Sequence, residues 1–177
     1  DPDRARVLIW LCTGLRLAEM QHLQWRDIDI RAAKLYVRAK AAHQIKDYED
    51  RGIDLPAHAV ALLEDLRARL RPAAADLFWP APRHGGIYIK LGRGLAAMLE
   101  RAGLPSVTPQ VIRHTFASLL LSDGCSLAEV KRYMGHSSIQ TTERHYAHFL
   151  PGQRAGVHRV DWGYAGGAAG ASAGVGR

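Results

Sequence analysis

The chain has 177 residues, 47% of them hydrophobic, with a formal net charge of +7 and a pI near 9.8. That content suffices for one sizeable core. It excludes a membrane-spanning helix, because no apolar run approaches the ~20 residues of a bilayer crossing, and the amino terminus lacks the basic-then-apolar layout of a secretory signal. The cationic excess is carried by 19 Arg against 5 Lys. A guanidinium fork grips phosphate oxygens at two points, so this balance suggests a polyanionic partner, with an ordinary basic surface as the bland alternative. Cys12 and Cys125 lie far apart and belong to no C-x-x-C pair, which points to a reducing compartment.

In chain order, Asp1 and Pro2 read as the cap and first position of a helix that stops at Gly14. "LRLAEMQHLQW" then reads as a second short helix, with Arg16 at the junction. "KLYVRA" (34–39) and "RGIDLP" (51–56) have strand character on either side of a polar stretch and suggest a hairpin with a long loop. From 57 to 70, Ala59, Leu62, Leu63, Leu66 and Leu70 mark an amphipathic helix. "DLFWP" is a short apolar run cut by Pro80, and 91–102 reads as a helix ended by Gly103. Thr108 and Pro109 open a further helix that Asp123-Gly124 closes, and "SLAEVKRYMG" has a capping box from Ser126 to Glu129 with a terminal Gly135. A last helical piece, "SSIQTTERHYAHF", ends at Pro151, and the Gly/Ala-rich remainder reads as a disordered tail. The expected class is mostly α with one small antiparallel β-sheet.

Four separated segments carry chemistry: "TGLRLAEM", the hairpin around Lys46, "TPQVIRHTFAS" and "MGHSSIQTTERHYAH". Taken singly, each residue has a bland reading. Arg16 and Glu19 form an i to i+3 surface contact, Arg113 and His114 lie on a solvated helix face, Tyr146 is a core-edge aromatic, and Lys46 belongs to a charged loop with Asp47, Glu49 and Asp50. His145 and His148 form H-x-x-H without a further ligand cluster, so no metal is expected.

Taken jointly and in this order, the segments resemble the catalytic domain of the tyrosine recombinase (phage integrase) family over about Val7 to Leu150. The resemblance implies that Arg16, Lys46, Arg113, His136 and Tyr146 are catalytic, with Glu19 in support. In many members the tyrosine follows the histidine by nine residues; here the interval from His136 to Tyr146 is ten. The lysine is placed by counting five residues back from Arg51, which gives Lys46, whereas counting forward from Arg16 points near Lys40. Gln110 stands where the family usually has His or Lys. It donates a hydrogen bond but does not titrate, so its role is open.

The resemblance implies a site-specific recombinase or integrase that cuts and rejoins double-stranded DNA through a 3′-phosphotyrosyl link, without metal or other cofactor. The alternative is a catalytically weak DNA-binding relative of the same fold, with Gln110 as the lesion. The expected organisation is a catalytic domain at 1–150, cut from a protein with an amino-terminal DNA-binding domain, followed by a carboxy-terminal segment and tail at 151–177. A homo-tetramer on DNA is expected for the family, a monomer for the isolated piece, with residence in the prokaryotic cytosol or nucleoid. "PGQRAGVHRVDW" is the candidate for contact between protomers.

Overall fold

The computed structural model describes residues 1–39 and 50–135. Helix α1 runs Pro2–Thr13, with the Asp1 carboxylate accepting from the Asp3 N–H, and Gly14 ends it in the left-handed region at φ 57°. The turn is restricted to glycine for a second reason: a Cβ there would lie 2.2 Å from Phe116 Cδ1. The expected second helix is shorter than its apolar pattern. Leu15 and Arg16 stay outside it, the Trp10 indole donating to the Leu15 carbonyl at 2.7 Å and Arg16 standing in extended geometry, so α2 spans only Leu17–His22. Trp25 belongs instead to a 3₁₀ turn, Trp25–Asp27, that leads into the sheet.

The sheet has three antiparallel strands in the order β1 (Ile28–Asp29), β2 (Lys34–Val37), β3 (Arg51–Asp54). The expected hairpin is β2 with β3, in register Lys34 to Asp54 and Val37 to Arg51; β1 is too short to leave a pattern in the sequence. Leu35, Val37, Arg51 and Ile53 are buried, the alternation of a sheet covered on one face. Helix α3 (Ala57–Leu70) buries Ala59, Leu63 and Leu66 of its apolar stripe, while Leu62 is half-buried and Leu70, in the last turn, is exposed. "DLFWP" adds two isolated bridges, Gln24 with Leu77 and Pro80 with Ile87, and delivers Phe78 and Trp79 to the core. There Trp79 meets Trp10 edge-on at 6.0 Å and Phe78 meets Trp25 at 5.2 Å, offset geometries that suit aromatic quadrupoles.

Helix α4 spans Leu91–Arg101, α5 Pro109–Ser122 and α6 Leu127–Met134. The predicted caps of α5 and α6 are present: Thr108 Oγ1 accepts from Val111 N–H at 3.3 Å, Ser126 and Glu129 close a reciprocal capping box, and Gly135 ends α6 at φ 60°. Helix α1 packs between α3 and α5, α5 on α6, and α6 on β3. One consequence governs the site. The junction after α1, the start of β3, one face of α5 and the end of α6 all reach the same place.

Candidate active site

Arg16, at the head of α2, donates from Nη1 to Glu19 Oε1 at 3.0 Å, while its backbone N–H donates to Glu19 Oε2 at 2.8 Å. The expected surface contact is therefore only half of the arrangement, because Glu19 is buried. The other half comes from Arg51, which donates from Nη1 and Nη2 to the two carboxylate oxygens at 3.0 and 2.8 Å. One buried carboxylate thus holds two guanidiniums. Burial pushes the Glu19 carboxyl upward, but the hydrogen bonds and charge of Arg51, joined by the backbone N–H and charge of Arg16, outweigh it and hold the carboxyl below its ordinary value.

Arg113 lies on the buried stripe of α5 with Ile112, Phe116 and Ala117, which rules out the solvated-face reading. A buried guanidinium needs acceptors. It finds the Gly14 carbonyl, at 2.7 Å from Nη1, and the Met134 carbonyl, which takes Nη2.

The end of α6 draws these groups together. The Tyr133 carbonyl accepts from Arg51 Nε at 2.9 Å, the Met134 carbonyl from Arg113, and the Gly135 carbonyl from Arg16 Nη2 at 2.7 Å. Three consecutive carbonyls at a helix terminus, left without partners inside the helix and at the negative end of its dipole, are a natural seat for cations. The cost of gathering three positive charges is offset by Glu19 and by these dipoles. Gly135 is again required: a Cβ there would stand 2.8 Å from Arg51 Nη1.

Gln110 sits one turn before Arg113 on α5, exposed, with its amide nitrogen 3.0 Å from His114 Nε2. Lys46, the alternative Lys40, His136 and Tyr146 lie outside the described residues, as do His145, His148, the last helical piece and the carboxy-terminal segment and tail. His136 directly follows Gly135 in sequence, and Lys46 falls in the connection between β2 and β3. Arg51 is the residue that sequence reasoning used only as a counting mark. Its signal was an arginine at an inward-facing position of a short strand, which demands a buried acid, and Glu19 was already singled out. Among the described residues no cluster of His, Cys, Asp or Glu could hold a metal ion, and no helix is long and apolar enough to cross a membrane.

Residues 2–152 match the Phage integrase family. The tyrosine recombinase XerC of Xanthomonas axonopodis pv. citri is 31% identical over 143 residues, 80% of this chain and 45% of that protein. The chain thus spans about half the length of the curated relatives it matches. Among solved structures, the XerA recombinase superposes with a TM-score of 0.69 at 25% identity, covering 85% of this chain and 59% of the other. The XerH recombinase, solved on a palindromic difH substrate after cleavage, superposes with a TM-score of 0.65 at 22% identity over 84% of this chain and 42% of that one.

Proposed function

The chain belongs to the phage integrase family, and on that premise we propose that residues 1–150 are the catalytic domain of a tyrosine-type site-specific recombinase acting on double-stranded DNA. The observation that carries the reading is the convergence of Arg16 and Arg113, from separate elements, on the carbonyls of Gly135 and Met134, immediately before His136. A phosphodiester under attack gathers charge on its non-bridging oxygens, and preorganised guanidiniums stabilise that charge without a metal ion.

In this reading the Tyr146 oxygen attacks phosphorus, the bond from phosphorus to the 5′ oxygen breaks, and Lys46 gives its proton to the departing 5′ oxygen, which leaves as a hydroxyl. His136 donates to the phosphate. Gln110 can donate as well but takes no proton, so the phenol proton passes to His136 or to water. The phosphotyrosyl ester retains the energy of the broken bond, so attack by a 5′ hydroxyl rejoins the strand without ATP. Glu19 and Arg51 touch no reacting atom; they hold Arg16 and the end of α6. Residues 151–162 supply the contact between protomers of a DNA-bound tetramer, and the protein works where DNA is, in the prokaryotic cytosol or nucleoid. XerH, whose solved structure is a post-cleavage complex on its substrate, supports DNA as the partner.

The test is covalent trapping: the protein is incubated with nicked suicide duplexes drawn from sequence flanking its gene and resolved on a denaturing gel. A DNA-shifted band that Tyr146→Phe abolishes, with DNA binding kept within a few-fold, is the expected result. A shift that persists in Tyr146→Phe moves the nucleophile elsewhere. Salt-sensitive binding with no band from any duplex would leave a DNA-binding relative without cleavage.

A further inference from the structure

Tyr133 is outside the constellation that the recombinase reading uses, yet it touches β3 at both ends. Its backbone carbonyl accepts from Arg51, the first residue of the strand, at 2.9 Å, and its hydroxyl donates to Asp54 Oδ2, in the last, at 2.8 Å. Asp54 is held in turn by Lys34, its cross-strand partner in β2, which takes Oδ1. The Arg132 guanidinium lies 5.2 Å from the centre of the Tyr133 ring. The hydrogen bond to the Asp54 carboxylate raises the phenol above its ordinary value, so Tyr133 remains protonated and a donor at neutral pH. Lys34 first and Tyr133 second lower the Asp54 carboxyl, which keeps it a charged acceptor.

We propose that Tyr133 is a positioning residue: its hydroxyl, clamped on Asp54, fixes the last turn of α6 against the β2–β3 hairpin and so sets where the Met134 and Gly135 carbonyls meet Arg113 and Arg16. The proposal rests on the recombinase reading for its effect on rate, while the clamp itself does not. The arginine contacts to the carbonyls at 133, 134 and 135 hold the last turn along its backbone only, and of these arginines Arg51 alone comes from β3. The hydroxyl adds an attachment at the far end of the strand, which fixes the orientation of the turn against the sheet. The same contact ties α6 to the β2–β3 hairpin, whose connection carries Lys46 in sequence.

Two readouts test it in the full chain. The first is the single-turnover rate of covalent attachment, with DNA affinity and thermal midpoint measured alongside. Tyr133→Phe and Asp54→Ala are each expected to slow attachment about 10-fold, a fraction of what a 1 Å misplacement costs, with affinity within about two-fold. The double variant should be no slower than Asp54→Ala alone, because the contact that Tyr133→Phe removes is already absent there. Asp54→Asn keeps an acceptor oxygen and should retain most of the rate. An unchanged rate in Tyr133→Phe, losses that multiply in the double variant, or a loss of affinity equal to the loss of rate would overturn the proposal.

The second readout, amide hydrogen exchange at Gly135, whose N–H closes the helix on the Arg132 and Lys131 carbonyls, needs no activity. It should quicken about 10-fold in Tyr133→Phe, since local opening governs exchange. Unchanged exchange overturns the clamp. If the unaltered protein forms no covalent product, the recombinase reading fails and the exchange result alone decides the clamp.

Discussion

Glu19 and Arg51, separated by 32 residues in sequence, face each other as a two-point buried ion pair, each guanidinium nitrogen on its own carboxylate oxygen at 3.0 and 2.8 Å. Removing one partner leaves the other charge buried. Glu19→Gln is therefore expected to lower unfolding free energy by about 3–5 kcal/mol, read by urea titration at pH 7. Because the folded-state carboxyl is held below its unfolded value of about 4.3, the stabilisation is present in full above that value and is lost as pH falls through the folded one. The gap between Glu19→Gln and the unaltered protein should thus narrow in acid. A gap that stays constant down to about pH 3 would remove the ion pair as its source.

Arg113 spans two carbonyls, those of Gly14 and Met134, from within the core, and only a planar fork can do so. Arg113→Lys supplies the charge but one point of attachment. Covalent attachment to a suicide duplex should fall by more than about 10²-fold while DNA affinity changes little. A defect seen in affinity alone would refute a part for Arg113 in the chemical step.

Gly14 combines a left-handed backbone with a side-chain-free approach to Phe116. Gly14→Ala should cost about 2 kcal/mol or more, since strain at positive φ and the clash with the ring add. Thermal denaturation measures it. A change in midpoint below about 2 °C would mean that the ring yields without penalty.

Gln110 pairs with His114 rather than standing alone. Gln110→His places a titratable ring where the amide was, and single-turnover cleavage should rise by about 10-fold or more, with a new inflection in the rate between about pH 6 and 7. An unchanged rate and a flat profile would show that an uncharged donor suffices there.

The elements with local signals were legible in the sequence. Asp1 and Gly14 bracket α1, Ser126 and Gly135 bracket α6, and α3 follows its leucines from 57 to 70, because caps and periodicity are written within a few neighbouring residues. The head of α2 was misplaced since the tryptophan that holds Leu15 out of it comes from the preceding helix. The order of the motifs singled out Arg16, Glu19 and Arg113, and the described geometry brings all three to the end of α6. Beyond the pairing of Arg16 with Glu19, the motif order could not supply their partners. Arg51 meets Glu19 across a strand and a helix, and each of the three arginines also donates to a main-chain carbonyl at the end of α6, which no residue type announces.

Main-chain acceptors let such a site tolerate sequence drift. The groups that orient the arginines at 133, 134 and 135 are common to nearly every amino acid, so Met134 could be exchanged for another apolar residue of similar volume without altering the acceptor offered to Arg113. The geometry is inherited through the course of the backbone, while Gly135, pressed against a guanidinium, and Tyr133, through its hydroxyl on Asp54, are bound to their identities.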